Sequence, residues 1–291
     1  LDSTTDSALV AELVAQEYSP SPRSDGRDLE VALEKVLPRL EGGFSFVLMD
    51  DARLIGVRDP HGFWPLTLGR IAGGWVLASE SAALDIVGAH YVRDVEPGEM
   101  VAIDASGLRS HHFAEPSPKL CLFEFVYFSR PDTNLYGQSV HAARQRMGEE
   151  LARQAPVHAD MVMPVPESGI PAAQGFARAS GIPYGDGVVK NRYIGRTFIA
   201  PTPETRAAGV RLKLNPIREN IAGKRLVVVD DSIVRGTTQL TLTRMLREAG
   251  AAEVHLRVTS PPYRWPCFYG MDTGRRPELL ALSPEGEPPP W

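Results

Sequence analysis

Leu226-Val227-Val228-Val229-Asp230-Asp231-Ser232-Ile233-Val234-Arg235-Gly236-Thr237-Thr238 is the stretch from which the organisation of this chain is read. Its apolar, β-branched opening predicts a strand buried on both faces. The run ends in two adjacent carboxylates and passes through Ser232 and Gly236 into two threonines. Leu240, Leu242, Met245, Leu246 and Ala249, followed by Gly250, then predict an amphipathic helix closed by a glycine. Small and hydroxyl residues between strand and helix let backbone N–H groups converge on an anion at a helix N-terminus. Carboxylates beside such an anion can hold the two hydroxyls of a ribose. A tight βα turn with Asp231 or Ser232 as N-cap is the plainer reading, but capping uses one such residue and not the whole run.

Working outward, Lys190-Asn191-Arg192-Tyr193-Ile194-Gly195-Arg196-Thr197-Phe198-Ile199 gathers three cations and a tyrosine around a glycine. Such a segment is either a solvated charged loop or one that closes over a polyanion, with arginine forks and a lysine point charge. Upstream, Met161-Val162-Met163-Pro164-Val165-Pro166 predicts a second buried strand. It runs through Glu167-Ser168-Gly169-Ile170 into an alanine-rich helix; alone, this is an ordinary βα connection. Strands near 122–128, 161–166, 225–230 and 253–260 alternate with helices near 140–154, 171–179 and 237–249. That alternation predicts a mainly parallel sheet covered on both faces, with ligands at the carboxyl ends of the strands, where Glu167 and Asp230 fall. The first hundred residues differ. Strands around Gly42–Met49, Leu54–Pro60, Trp75–Ser81 and Val92–Asp104, with a short helix near 82–87, predict a layered, mostly antiparallel unit. The Pro-rich stretch Phe113–Lys119 marks the boundary.

The first run resembles the fingerprint of the type I phosphoribosyltransferases, which bind phosphoribosyl pyrophosphate (PRPP). The resemblance implies that Asp230 and Asp231 contact the ribose hydroxyls, directly or through Mg²⁺. It implies that Ser232, Ile233, Val234, Arg235, Gly236, Thr237 and Thr238 cradle the 5′-phosphate, and that Glu167, Ser168 and Gly169 form the pyrophosphate loop. Phe123–Asp132, Arg211–Pro216 and Cys267–Asp272 match further segments, and similarity runs from about Thr5 to about Thr273. Together they are similar to the amidophosphoribosyltransferase family, the glutamine-dependent PRPP amidotransferases that open purine synthesis. The fold this implies is α/β: a partial N-terminal-nucleophile-type layered α+β domain, then a type I phosphoribosyltransferase α/β domain with a mainly parallel sheet. The expected bounds are 1–112 for a partial class II glutamine amidotransferase domain, 113–119 for a linker and 120–291 for the transferase domain.

By the same resemblance, Lys190, Tyr193 and Arg196 serve catalysis at the departing pyrophosphate, in a lid over 190–200 expected to be mobile until PRPP binds. Arg211 and Lys213 are supporting phosphate ligands, and Ser168 joins Asp230 and Asp231 around Mg²⁺. Asp6, in Thr5-Asp6-Ser7, matches the aspartate that holds the glutamine α-ammonium; a stray acid at a helix start is the plainer alternative. Those glutaminases use an N-terminal cysteine, whereas residue 1 here is leucine and the first cysteine is Cys121. The glutaminase half is therefore expected to be inactive in this chain, which reads as a fragment lacking the N-terminal cysteine region and the C-terminal region. Trp64 stands where the family usually has arginine. Cys121 and Cys267 match two of four [4Fe–4S] ligands in cluster-bearing relatives; two thiolates do not hold a cubane, so the cluster is expected only of a longer protein. Expected partners are PRPP, glutamine or ammonia, purine nucleotide feedback inhibitors and further copies of the chain.

Composition agrees. The 291 residues leave room for two cores, and 31 basic against 36 acidic residues give a net charge of −5, which argues against a nucleic-acid surface. No apolar run reaches bilayer length, so no membrane association is expected and the location is read as cytoplasmic. The seven histidines show no metal-ligand spacing, and His111-His112 reads as a solvated polar turn. Two other functions remain open. A nucleobase phosphoribosyltransferase leaves residues 5–104 unexplained, and a non-catalytic PRPP sensor would keep the fold without the chemistry.

Overall fold

The structure, a computed structural model, describes residues 5–19, 27–191, 212–269, 271, 276 and 279–281. Contacts divide the chain into Leu1–Cys121 with Phe268–Met271, and Leu122–Cys267 with Asp272–Trp291.

The first unit opens with helix α1 (Asp6–Glu17), capped by the Thr5 side chain, which accepts from the Ala8 N–H. Helix α2 (Asp28–Val36) and a 3₁₀ turn, Leu37–Arg39, follow. Strands β1 (Ser45–Met49), β2 (Leu54–Arg58), β3 (Thr67–Ile71) and β4 (Gly74–Ala78) lead to helix α3 (Ser81–Ile86). Strands β5 (His90–Asp94), β6 (Glu99–Asp104) and β7 (Gly107–His112) complete the unit. Two antiparallel sheets result, ordered β1-β2-β6-β7 and β4-β3-β5. Ala32, Leu33 and Val36 of α2 lie on one face and are fully buried with Val14, Phe44, Ile55, Val57 and Met100, which joins the helices to the first sheet. Between the sheets, Gly56 of β2 faces Leu77 of β4 so closely that a Cβ at 56 would lie 2.7 Å from the leucine methyl. His111 and His112 end strand β7 and are not in a turn; alternation past Leu108 is masked by polar residues on an exposed edge strand. The carbonyl of Trp64 accepts from Ser45 Oγ at 2.9 Å and from the buried Arg58 Nε at 3.0 Å, so that segment is fixed through its backbone.

The second unit begins with a correction. Residues 122–128, expected as a strand, are helical, with a wide turn at Glu124–Phe128 closed by Ser129 N–H donating to the Glu124 carbonyl. The aromatic run instead packs along a helix: the Phe123 ring lies 5.5 Å from both Tyr127, tilted, and Phe128, edge-on. A short hairpin, β8 (Asn134–Leu135) and β9 (Gln138–Ser139), leads to helix α4 (Val140–Gln154). Strand β10 (Met161–Pro164), helix α5 (Ile170–Ser180) and strands β11 (Val188–Lys190) and β12 (Leu214–Pro216) follow. Helix α6 (Arg218–Ile221), strand β13 (Arg225–Asp230), helix α7 (Thr237–Glu248) and strand β14 (Glu253–Val258) close it.

Strands β10, β13 and β14 form a parallel sheet with β13 central. The apolar run is continuous because both faces are covered. Leu226 and Val228 pack with Leu242 and Leu246 of α7, whereas Val227 and Val229 pack with Ala173 and Phe176 of α5. All four β13 residues are completely buried. The α/β class and mainly parallel sheet expected from the sequence are thus observed.

Candidate functional site

The carboxyl ends of β10 and β13 are held together beyond the strands: Val165 N–H donates to the Val229 carbonyl at 2.8 Å. Each strand feeds a loop that starts a helix. After β10, Glu167-Ser168-Gly169 makes a tight turn, with the Gly169 N–H donating to the Val165 carbonyl and the Ile170 N–H to the Glu167 carbonyl. Gly169 admits no side chain, since a Cβ would lie 2.7 Å from the Val229 carbonyl oxygen and 2.8 Å from that of Val165. Glycine here is a demand of close packing between the turn and the neighbouring strand.

After β13, Asp230 and Asp231 are both buried, and the loop from Ser232 to Thr238 is half-buried. Gly236, at φ +78°, caps α7. The helix cap is therefore neither Asp231 nor Ser232, and their side chains are left for other work. First-turn amides of a helix have no intrahelical acceptor, so the loop ends on a row of donors with a partial positive charge. The Val234 carbonyl accepts from Leu280 N–H at 2.8 Å, which ties the loop to the described residues near the C-terminus.

The two loops meet. Ser168 hydrogen-bonds Asp231, whose Oδ1 also accepts from Ser232 Oγ at 2.5 Å. Asp230 Oδ1 accepts from the Asp231 N–H at 2.9 Å, and its Oδ2 accepts from Gln239 Nε2 at 2.6 Å. Lys190, at the end of β11, forms an ion pair with Glu167 at 3.2 Å. Lys213, beside β12, contributes a positive field at Asp230. Glu167, Ser168, Lys190, Lys213, Asp230 and Asp231 are thus brought to one region. Tyr193, Arg196 and Arg211, with the 190–200 lid beyond Asn191, lie outside the described residues. Asp6 lies in the exposed first turn of α1, where its charge favours the helix dipole. Cys121 and Cys267 are half-buried thiols.

Electrostatics single out the carboxylate pair. Burial, then the charge of Asp231, pushes the Asp230 carboxyl up to about 8, against the opposing hydrogen bonds from Gln239 and the Asp231 N–H. Burial also raises Asp231, opposed by the Ser168 and Ser232 hydroxyls and the charge of Arg144. Because the folded-state value for Asp230 lies above the unfolded one, the folded chain retains a proton that the unfolded chain releases. The stability this contributes is full below about pH 4 and is lost as pH rises through about 8. In the metal-free chain, the advantage of Asp230→Asn in urea midpoint over the parent should be smallest at or below about pH 4 and should grow steadily toward pH 8. A difference independent of pH would show that the carboxyl ionises as readily as in the unfolded chain.

Two contributors were not found in the sequence. Gln239 is a polar residue on the buried face of α7, at i, i+3 and i+7 with Leu242 and Leu246. Arg144 likewise lies among the buried positions of α4; its guanidinium donates to the Phe125 and Ser129 carbonyls, each at 2.7 Å. In both cases a polar group on an apolar helix face was the available signal.

Comparison with known proteins agrees with this geometry. A phosphoribosyl transferase domain family matches residues 136–260, and a glutamine amidotransferase domain family matches residues 4–86. Amidophosphoribosyltransferase of Mycobacterium tuberculosis is 56% identical over 284 residues, covering 98% of this chain and 53% of the relative. That of Bacillus subtilis is 48% identical, over 90% of this chain and 55% of the relative. A solved structure described as glutamine phosphoribosylpyrophosphate amidotransferase from B. subtilis complexed with ADP and GMP superposes with a TM-score of 0.84 at 45% identity. That superposition covers 97% of this chain and 60% of the other. Fold and paired loops go with a phosphoribosyl transferase domain preceded by a segment of a glutamine amidotransferase domain. The chain belongs to the amidophosphoribosyltransferase family, and it spans about half the length of the curated relatives it matches.

Proposed function

We propose that the second unit binds PRPP and transfers ammonia to its C1, the phosphoribosyl half of amidophosphoribosyltransferase. The observation that carries this reading is the adjoining of two strand–loop–helix turns, one acidic and glycine-capped, one tight and hydroxyl-bearing, at the carboxyl edge of a parallel sheet.

Asp230 and Asp231 would hold the ribose 2′ and 3′ hydroxyls, and the Ser232–Thr238 loop would hold the 5′-phosphate through its backbone amides. Glu167, Ser168 and Gly169 would line the pyrophosphate. Lys190 would exchange Glu167 for a phosphate oxygen; Arg196 and Tyr193 would face the same group, with Arg211 and Lys213 supporting. Two buried carboxylates with a neighbouring hydroxyl suit Mg²⁺, which accepts one or two carboxylates and takes its remaining ligands from water and substrate phosphates. Bound there through Asp230, Asp231 and Ser168, it would neutralise charge on the departing pyrophosphate. In the transfer, the C1–oxygen bond to pyrophosphate breaks as the ammonia nitrogen bonds to C1. Developing negative charge on the leaving group meets Lys190 and Arg196. Products are 5-phosphoribosylamine, formed as the attacking nitrogen releases one proton, and pyrophosphate, with glutamate when water hydrolyses glutamine to supply the ammonia.

Asp6 is proposed for the glutamine α-ammonium. A purine nucleotide, which shares the phosphate and ribose, is proposed to compete at the same loop. A [4Fe–4S] cluster is not completed by the two cysteines of this chain, and among the described residues no three His, Cys, Asp or Glu side chains converge as a metal site. No helix among the described residues is long and apolar enough to cross a membrane, and we place the protein in the cytoplasm.

Calorimetry with Mg²⁺ and PRPP, followed by ammonia-dependent pyrophosphate release, tests the proposal. Saturable binding and release that requires ammonia are expected. A folded chain that does not bind PRPP would reject the site.

A further inference from the structure

Gln239 follows the phosphate-loop threonines directly, yet it faces inward. It is 8% exposed, and its Nε2 donates at 2.6 Å to Asp230 Oδ2 and, more weakly, at 3.4 Å to the Ser232 carbonyl. One amide therefore bridges the strand end that carries the acidic pair and the first turn of the loop. Asp230 Oδ1 is fixed separately by the Asp231 N–H at 2.9 Å. With one donor on each oxygen, the plane of the carboxyl group is set, and each oxygen of the ionised group keeps a lone pair for a further partner. Packing alone does not call for glutamine here. The residue shares its helix face with Leu242 and Leu246, where an apolar side chain would bury without the desolvation cost of an amide.

We propose that Gln239 is a positioning residue for ribose recognition, holding the Asp230 carboxylate and the Ser232 turn as one preorganised unit. This rests on the reading of Asp230 as a PRPP ligand. A carboxylate free to rotate would have to be ordered at the moment of binding, and the amide removes that cost in advance.

The experiment is a double-mutant cycle on the whole chain, with Mg²⁺–PRPP affinity measured by calorimetry and folding checked by urea titration. Gln239→Met keeps the length of the side chain and removes the donor; it is expected to weaken binding about fivefold, in the range of one ordinary hydrogen bond lost. In an Asp230→Ala background the same substitution is expected to change affinity by less than about twofold, because the group it orients is gone. Equal losses in both backgrounds would show a packing role and overturn the proposal, as would unchanged affinity in folded Gln239→Met. Gln239→Ala passes through the same cycle and the same criteria if the methionine variant does not fold. Parent-like affinity in Asp230→Ala would overturn the ribose site itself, a result separate from failure at Gln239 alone.

Discussion

Replacing both Asp230 and Asp231 with alanine is expected to weaken Mg²⁺–PRPP binding at least about tenfold, or about 1.4 kcal/mol, while leaving the metal-free chain no less stable. The two halves of this result have one cause. Both carboxyls are buried and both are raised by burial, so in the absence of ligand they are tolerated and not stabilising. Hydrogen bonds from Ser168, Ser232, Gln239 and the Asp231 amide soften the cost without removing it. On the proposed reading a ribose diol would donate to these oxygens, and a divalent cation would cancel their mutual repulsion. The stability that the pair withholds from the free chain is recovered in the complex. Calorimetry on the double variant, with urea midpoints for both proteins, measures both halves. Unchanged affinity in a folded variant would move the ribose elsewhere. A large loss of stability without ligand would mean that the pair is structural.

The central strand and its loop were legible because several local signals agree there: the doubly covered apolar run, the abrupt acidic pair, and a glycine where φ must be positive. The helices at 140–154, 171–179 and 237–249 were legible for the same reason. The segment 122–128 was not, because alternating and helical patterns overlap when nearly every residue is aromatic or apolar. Gln239 and Arg144 were missed on different grounds. Their roles depend on which face of a helix meets which strand, a tertiary fact absent from any short window. The meeting of Ser168 with Asp231 depends on strand order in the same way, and that of Lys190 with Glu167 on where the separate β11–β12 pair lies. Resemblance placed Ser168 with the acidic pair around a metal, and Lys190 and Glu167 at the pyrophosphate; it did not give the ion pair between the last two, and periodicity gave none of this.

The crossing of α4 and α5 was also invisible in the sequence, and it carries the largest expected effect on stability. A Cβ at Gly148 would lie 1.9 Å from the Ala172 carbonyl oxygen, and one at Gly175 would lie 2.0 Å from that of Gln145. The two contacts are reciprocal: each helix contributes a glycine against the other's backbone. Alanine normally improves a helix by about 1 kcal/mol over glycine, but here the atoms met are backbone oxygens that no rotamer change can clear. The helices must separate, opening the packing around Ala152, Ala173 and Phe176. Gly148→Ala and Gly175→Ala are each expected to cost a net 2 kcal/mol or more, roughly. Together they should cost less than the sum, since one separation relieves both clashes. Gly181→Ala is the contrasting case: φ is +74° but nothing lies within 4 Å, so only the backbone penalty of about 1 kcal/mol applies. Helix α5 begins beside the Glu167–Gly169 turn, so a displaced α5 carries Ser168 away from Asp231, and PRPP affinity should fall with stability in the two crossing variants but not in Gly181→Ala. Urea midpoints and calorimetry on the parent and the four variants decide it. Parent-like stability in Gly148→Ala would mean that the helices pack less closely than this geometry requires.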